Sequence, residues 1–152
     1  MVIRPAQAVD GPKIVKLITT ILAQEFPDDQ SAYAADDLKR VVETYKGPQS
    51  AFFVAEEGDQ IVGTCGVKAE NPQVAILRRL FVDSHHRGQG IGAGLLREAL
   101  VFCRTMGFHE IVIRTSNRME RAIRLCKSLG FQEDGRWTFG KVSLIRFTMR
   151  LI

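Results

Sequence analysis

The residues best suited to do chemistry lie in one short segment, Arg87-Gly88-Gln89-Gly90-Ile91-Gly92, between an apolar run and a helical pattern. A glycine-rich turn that opens a helix presents several backbone N–H groups at the positive end of the helix dipole, and this makes an anion site. Gly88, Gly90 and Gly92 carry no β-carbon, so oxygens can approach the main chain closely. Arg87 stands at the mouth, where it can add a charge-assisted contact. A diphosphate fits this chemistry.

Spacing separates the phosphate loops that share such glycines. A Walker A loop closes on Gly-Lys-Ser or Gly-Lys-Thr, whereas this chain continues Gly92-Ala93-Gly94-Leu95 and offers no lysine there. The dinucleotide fingerprint is matched by Gly88-Gln89-Gly90-Ile91-Gly92-Ala93, but its partner acid should end the following strand, and Glu110 precedes that strand instead. Elsewhere, Arg78 and Arg79 are consecutive within an apolar run, so strand alternation would send one guanidinium to each face. A guanidinium held beside an acceptor site pairs well with a substrate carboxylate, and Arg78 is the candidate for that role.

The elements that must position these residues follow from periodicity. Val2-Ile3-Arg4-Pro5 reads as an edge strand, and Asp10 as the cap of a helix whose stripe is Ile14, Leu17, Ile18, Ile21 and Leu22. A shorter stripe, Leu38, Val41, Val42 and Tyr45, ends at Gly47-Pro48. The runs 51–55 and 61–67 flank Glu57-Gly58-Asp59 as a β-hairpin. A long strand from Val74 to Val82 leads into the glycine loop, and a helix with Ile91, Leu95, Ala99, Phe102, Cys103 and Met106 on one face follows it. Gly107 caps that helix, and 111–113 returns as a strand. Asn117 with Glu120 reads as a capping box for a helix bearing Ala122, Ile123, Cys126 and Leu129, which stops at Gly130-Phe131. The alternation of Ile145, Phe147, Met149 and Leu151 marks a half-buried strand over 142–151.

Composition removes several classes of function. The 152 residues are 45% hydrophobic and 25% charged, with no apolar run of membrane-spanning length and no linker or repeat, so one domain over 1–152 is expected. The N-terminal residues lack the pattern of a secretory signal and the three cysteines are scattered, which points to a reducing cytoplasm. The net charge of +4 is dispersed and comes with no named nucleic-acid module, so neither nucleic acid nor membrane is an expected partner.

Leu80-Phe81-Val82-Asp83, the loop from His86 to Gly92, and Leu95-Leu96 together resemble the acetyl-CoA motif of the GCN5-related N-acetyltransferase (GNAT) superfamily, (Arg/Gln)-x-x-Gly-x-(Gly/Ala). Arg87, Gly90 and Gly92 fill its fixed positions. Ala122-x-x-x-Cys126-Lys127-x-Leu129-Gly130-Phe131 resembles the family's second signature helix, and the order of elements agrees over nearly the whole chain. The resemblance implies an α/β (α+β) fold: a mixed, mostly antiparallel sheet of about six or seven strands flanked by about four helices. Its fourth and fifth strands, here 74–82 and 111–114, would splay apart. It implies acetyl-CoA as cosubstrate, no metal, and transfer of acetyl to a primary amine, on a small molecule rather than a protein, by direct attack. Family members often pair through sheet edges or C-terminal strands, so a homodimer stays open.

Residue by residue, the resemblance puts coenzyme contacts at Leu80, Phe81, Val82, Arg87, Gly88, Gln89, Gly90, Ile91, Gly92 and Ala93. Arg121, on the outer side of the second signature helix with Arg118 and Arg124, is a phosphate candidate, and Asn117 a candidate for the pantetheine arm. The family's acid position, usually tyrosine, holds Cys126, whose thiol is a weak donor. The strand glutamate of many members is replaced by Ile76, so base candidates fall to Glu25, Glu70, His85 and His86. The segment 25–33 would line the acceptor side and bring Tyr33 to it. The missing tyrosine and strand glutamate also admit a non-catalytic acyl-CoA-binding or sensing module.

Overall fold

The computed structural model describes residues 1–27 and 40–151. Seven strands form one sheet: β1 (Val2–Pro5), β2 (Ala51–Glu57), β3 (Gln60–Ala69), β4 (Val74–Val82), β5 (Glu110–Ser116), β6 (Gln132–Phe139) and β7 (Val142–Arg150). Their order is β1-β2-β3-β4-β5-β7-β6, antiparallel throughout except for β4 beside β5. The described helices are α1 (Gly11–Glu25), α2 (Val41–Thr44), α3 (Ile91–Thr105) and α4 (Glu120–Ser128). No described helix is long and apolar enough to cross a membrane.

Two buried clusters lie on opposite faces of the sheet. On one, Leu95, Leu96, Ala99 and Cys103 of α3 and Cys126 of α4 pack on Val67, Leu77, Ile111, Ile113 and Phe147. On the other, Ile14, Leu17, Ile18, Ile21 and Leu22 of α1 pack with Val41, Tyr45, Phe52, Val54 and Phe81. The predicted apolar stripe of α1 is therefore its buried face, and burial of that stripe holds the helix in place. The β4-α3-β5 unit is a parallel crossover, and this requires a helix long enough to return along the sheet.

The parallel ladder between β4 and β5 pairs Val74 with Glu110 and continues only as far as Leu77 with Ile113. Past that point β4 stays paired with β3, and β5 with β7, so the two strands diverge as expected. Arg79 sits in the divergent part with φ of 57°, at an irregularity in the β3–β4 register, and its carbonyl accepts a 2.8 Å hydrogen bond from the buried Thr64 hydroxyl. This bulge breaks the simple alternation expected of the arginine pair: Arg78 stays on the regular pleat and is exposed, while Arg79 is partly buried.

Other expectations are corrected at element ends. Asp10 does not cap α1 through its side chain. It accepts the Gln7 N–H at 2.7 Å, closing a short 3-10 turn, and takes both Nη atoms of Arg4. The Asn117–Glu120 capping box is absent, because α4 opens at Glu120 after Met119 and the Asn117 Oδ1 accepts the Ser143 N–H of β7. Met106, placed on the buried face of α3, is 37% exposed beyond the end of that helix. Strand β6 had no sequence reading: nearly all of its residues face water, so no apolar alternation betrays it. Leu38 and the part of the acceptor-side segment from 28 to 33, Tyr33 included, lie outside the described residues.

Candidate active site

A cleft of about 500 Å³ opens at the C-terminal end of β4. Leu80, Phe81 and Val82 form its floor, and Ile21, Glu25 and Phe26 at the end of α1 form one wall. The loop residues His86, Arg87, Gly88 and Gly90 with the start of α3 form its head, and residues 118–122 with Arg124 and Leu125 close the far side. The glycine loop thus meets the diverging end of β4, as the resemblance implies. Gly88 and Gly90 have φ of 78° and 80°, a left-handed backbone that a β-carbon strains. The first intrahelical bond of α3 runs from Gly94 N–H to Gly90 carbonyl, so the N–H groups of Ile91, Gly92 and Ala93 have no intrahelical acceptor. Gly92 lets α4 come close: a β-carbon there would stand 3.2 Å from Leu125 Cδ2.

Arg87 does not stand free at the mouth. Its Nη1 and Nη2 lie 2.5 and 2.9 Å from the two carboxylate oxygens of Glu25, and its Nε donates to the Val82 carbonyl at 3.2 Å. The pair ties the C-terminus of α1 to the glycine loop with fork-on-fork geometry. Glu25, proposed as a base, is in the cleft but engaged by this arginine. Three further cations, Arg118, Arg121 and Arg124, line the α4 side with Glu120 among them, so the net positive charge of the cleft comes from that side.

His86 is the second engaged group. Its Nδ1 is 2.7 Å from Asp83 Oδ2 and its Nε2 is 2.9 Å from Glu57 Oε2, so the ring clasps the end of β2 to the turn that precedes the loop. The hydrogen bond to Asp83 raises the imidazole above its ordinary range, and the same bond lowers the Asp83 carboxyl. A raised histidine contributes stability below its unfolded value that is lost as pH rises through the folded one. A lowered aspartate contributes stability above its unfolded value that is lost in acid. The clasp is therefore strongest between the two. In a His86→Gln variant, the deficit in Tm against the unaltered chain is expected to be greatest near about pH 5–6 and to close as pH rises past neutrality. A deficit that stays constant from acid to alkaline buffer would contradict this account.

Several predicted site residues are not brought to the cleft. Cys126 is fully buried among core side chains, and burial pushes its thiol up to about 12. It packs α4 on the sheet and has no route to a leaving group. Replacing Cys126 by Ala should leave turnover within about twofold while costing about 1 kcal/mol of stability, measured by urea unfolding. A hundredfold loss of turnover in a folded variant would restore the thiol as a proton donor. Glu70 lies at the opposite end of β4, 3.5 Å from Arg114. Asn117 is held by Ser143, and His85 is 88% exposed on its side chain. Gln89 and Arg78 are exposed and stand outside the cleft lining. Phe26 lines the cleft from within the segment 25–33 expected on the acceptor side, whereas nothing in the sequence marked Met119 and Ala122 as apolar walls, or Glu57, whose contact with His86 joins positions far apart in the chain.

The family model of the Acetyltransferase (GNAT) family matches residues 15–131. Among similar curated proteins, Probable N-acetyltransferase family 8 member 5 of Mus musculus is 31% identical over 139 residues, covering 88% of this chain and 60% of its own length. N-acetyltransferase 8B of Homo sapiens is 41% identical over 95 residues, 59% of this chain and 42% of its own. The chain thus spans about three fifths or less of these relatives. Among solved structures, an acetyltransferase of the GNAT family from Staphylococcus aureus Mu50 superimposes with a TM-score of 0.83 at 23% identity, over 99% of each chain. A putative acetyltransferase from Salmonella typhimurium, solved with its cofactor acetyl-CoA, superimposes with a TM-score of 0.81 at 22% identity, over 100% of this chain and 94% of that one.

Proposed function

The chain belongs to the Acetyltransferase (GNAT) family, and from that premise we propose that it transfers the acetyl group of acetyl-CoA to a primary amine of a small molecule. The observation that carries this reading is the continuity of the cleft: the open N–H groups at the start of α3 and Leu80, Phe81 and Val82, the end of β4 that has left its ladder with β5, line one space. In this reading the diphosphate sits on the amides of 91–93, and Arg118, Arg121 and Arg124 supply countercharge from α4. The pantetheine arm lies along the end of β4 at Leu80 and Val82, where strand amides can pair with its own. A backbone N–H close to the Arg79 bulge is then suitably placed to stabilise the developing oxyanion. The gap fixes thioester and amine in proximity, which supplies part of the rate enhancement before any proton moves. Glu25 competes with the coenzyme phosphates for Arg87, so arrival of the coenzyme and release of the α1 terminus are linked.

A second reading, an acyl-CoA-binding or sensing module, is favoured by the burial of Cys126 and the engagement of Glu25 and His86. Thiol release from acetyl-CoA across a panel of amines, with coenzyme affinity measured in parallel by calorimetry, separates the two. Turnover with any amine supports the enzyme. Tight binding with no turnover supports the module, and no heat with any CoA species removes both.

A further inference from the structure

On the face of the sheet covered by α1 and α2, the strand register puts three arginines side by side. Gly66 pairs with Arg78, and Leu77 pairs with Ile113, so Arg78 and Arg114 come level one residue past the last β4–β5 pair. Arg114 pairs in turn with Arg146, and Arg146 with Gly135. Opposed residues share a face, and the bulge falls after Arg78, so all three guanidinium groups start on the same side. Aromatic rings stand at both ends of this row. A β-carbon at Gly66 would meet Tyr45 Cε1 at 2.7 Å, and one at Gly135 would meet the Trp137 ring at 2.8 Å, so each glycine is the seat of a ring. Tyr45 is buried, with Lys68 Nζ 5.8 Å from its centroid, whereas Trp137 is 48% exposed.

The charges in the row are not equivalent. Arg146 is held by Asp134, and by Glu110 at 3.7 Å. Arg114 meets Glu70 at 3.5 Å, a long and exposed pair of small value. Arg78 makes no ion pair or hydrogen bond among the described residues and is exposed. One free guanidinium beside two compensated ones suits a single carboxylate and gives no reason to favour a polyanion. Trp137 is carried by the third strand from Arg78, so the two backbones stand at least roughly 14 Å apart at about 4.8 Å per spacing, and the indole ring leans back over Gly135, toward the row. A guanidinium and an indole that lean toward each other above Arg114 and Arg146 shorten that gap, and a ligand with a carboxylate at one end and an apolar group at the other can bridge it. The row begins where β4 and β5 part, which is where the thioester emerges if the acetyl-CoA reading holds.

We infer that this row is the acceptor platform, and that the acceptor is an amino acid with an apolar body: its carboxylate on Arg78, its side group on Trp137, its amine at the β4–β5 opening. The inference rests on the acetyltransferase reading for the amine, but the carboxylate and ring contacts are testable without it. Trp137 is the one tryptophan of the chain, so its emission reports on the platform alone. Protein loaded with coenzyme A is titrated with L-phenylalanine, L-phenylalaninamide and sodium sulfate under excitation selective for indole.

The expected result is a saturable emission change with L-phenylalanine at a midpoint at least about tenfold below that of the amide, with no comparable change from sulfate. Arg78→Met should erase the preference for acid over amide, and Arg78→Lys should restore only part of it, because a point charge lacks the planar fork. Equal midpoints for acid and amide, an equal response to sulfate, no emission change with the acid, or an unchanged preference in Arg78→Met would each overturn the inference. Calorimetry with coenzyme A on the same samples tests the acetyl-CoA reading separately. A protein that takes up no coenzyme yet still prefers the acid loses that reading and keeps the platform.

Discussion

Gly90→Val is expected to weaken coenzyme A binding about a hundredfold, equivalent to about 2.7 kcal/mol. Two effects combine. The φ of 80° at Gly90 is unfavourable for any residue with a β-carbon and most of all for a β-branched one. In addition, the new side chain stands in the open space over which phosphate oxygens would approach, since nothing lies within 4 Å of a β-carbon built there. Gly140→Val separates the two. Gly140 has φ of 62°, is equally unobstructed, and occupies the β6–β7 turn away from the cleft. Both variants should lose comparable stability through strain, but only Gly90→Val should lose coenzyme affinity by calorimetry. Equal affinities in the two variants would mean that the loop amides do not carry the phosphate.

Phe147→Ala is expected to cost about 3–5 kcal/mol, a large part of the roughly 5–15 kcal/mol that holds a domain folded. Phe147 is fully buried on β7, opposite Ile113 of β5, and belongs to the cluster beneath α3 and α4. Removal of the ring leaves a cavity that close-packed neighbours cannot fill. Tm should fall by roughly 10 °C. The exposed Phe139, 64% accessible on the neighbouring strand, provides the contrast: its alanine variant should unfold within about 0.5 kcal/mol of the unaltered chain. Because β5 has no ladder with β4 beyond Ile113, its far half relies on β7 for position. Coenzyme affinity in Phe147→Ala should therefore decline at temperatures where the variant is still folded.

The sequence was most legible where one physical signal acted alone. The stripe Ile14, Leu17, Ile18, Ile21, Leu22 has a single reading, and all five side chains are buried. The same holds for Val74–Val82 and for the left-handed glycines at 107 and 130. It was least legible where two or more elements compete for one side chain. Asp10 and Asn117 are sound capping residues by type, yet Arg4 and the Ser143 N–H offered each of them a partner that local sequence cannot reveal. Likewise, Arg87 in its motif gives no hint that Glu25, 62 positions earlier, will engage it. Strand β6 escaped because an edge strand with both faces wet carries no hydrophobic period. The transverse arginine row shows the same limit: Arg78, Arg114 and Arg146 become neighbours only through register.

The parting of β4 from β5 has a consequence for solubility. Two strands that stop pairing inside a sheet create a pair of internal rims, each able to template another chain, much as outer rims do in aggregation. Here they face each other across a wedge that is shut at Leu77 and Ile113. Another chain's strand could pair with either rim only beyond that closure, over the few residues from Arg78 to Val82 and from Arg114 to Ser116. The shape that invites an amide-bearing arm is thus also the shape that keeps a sticky rim from recruiting copies of itself.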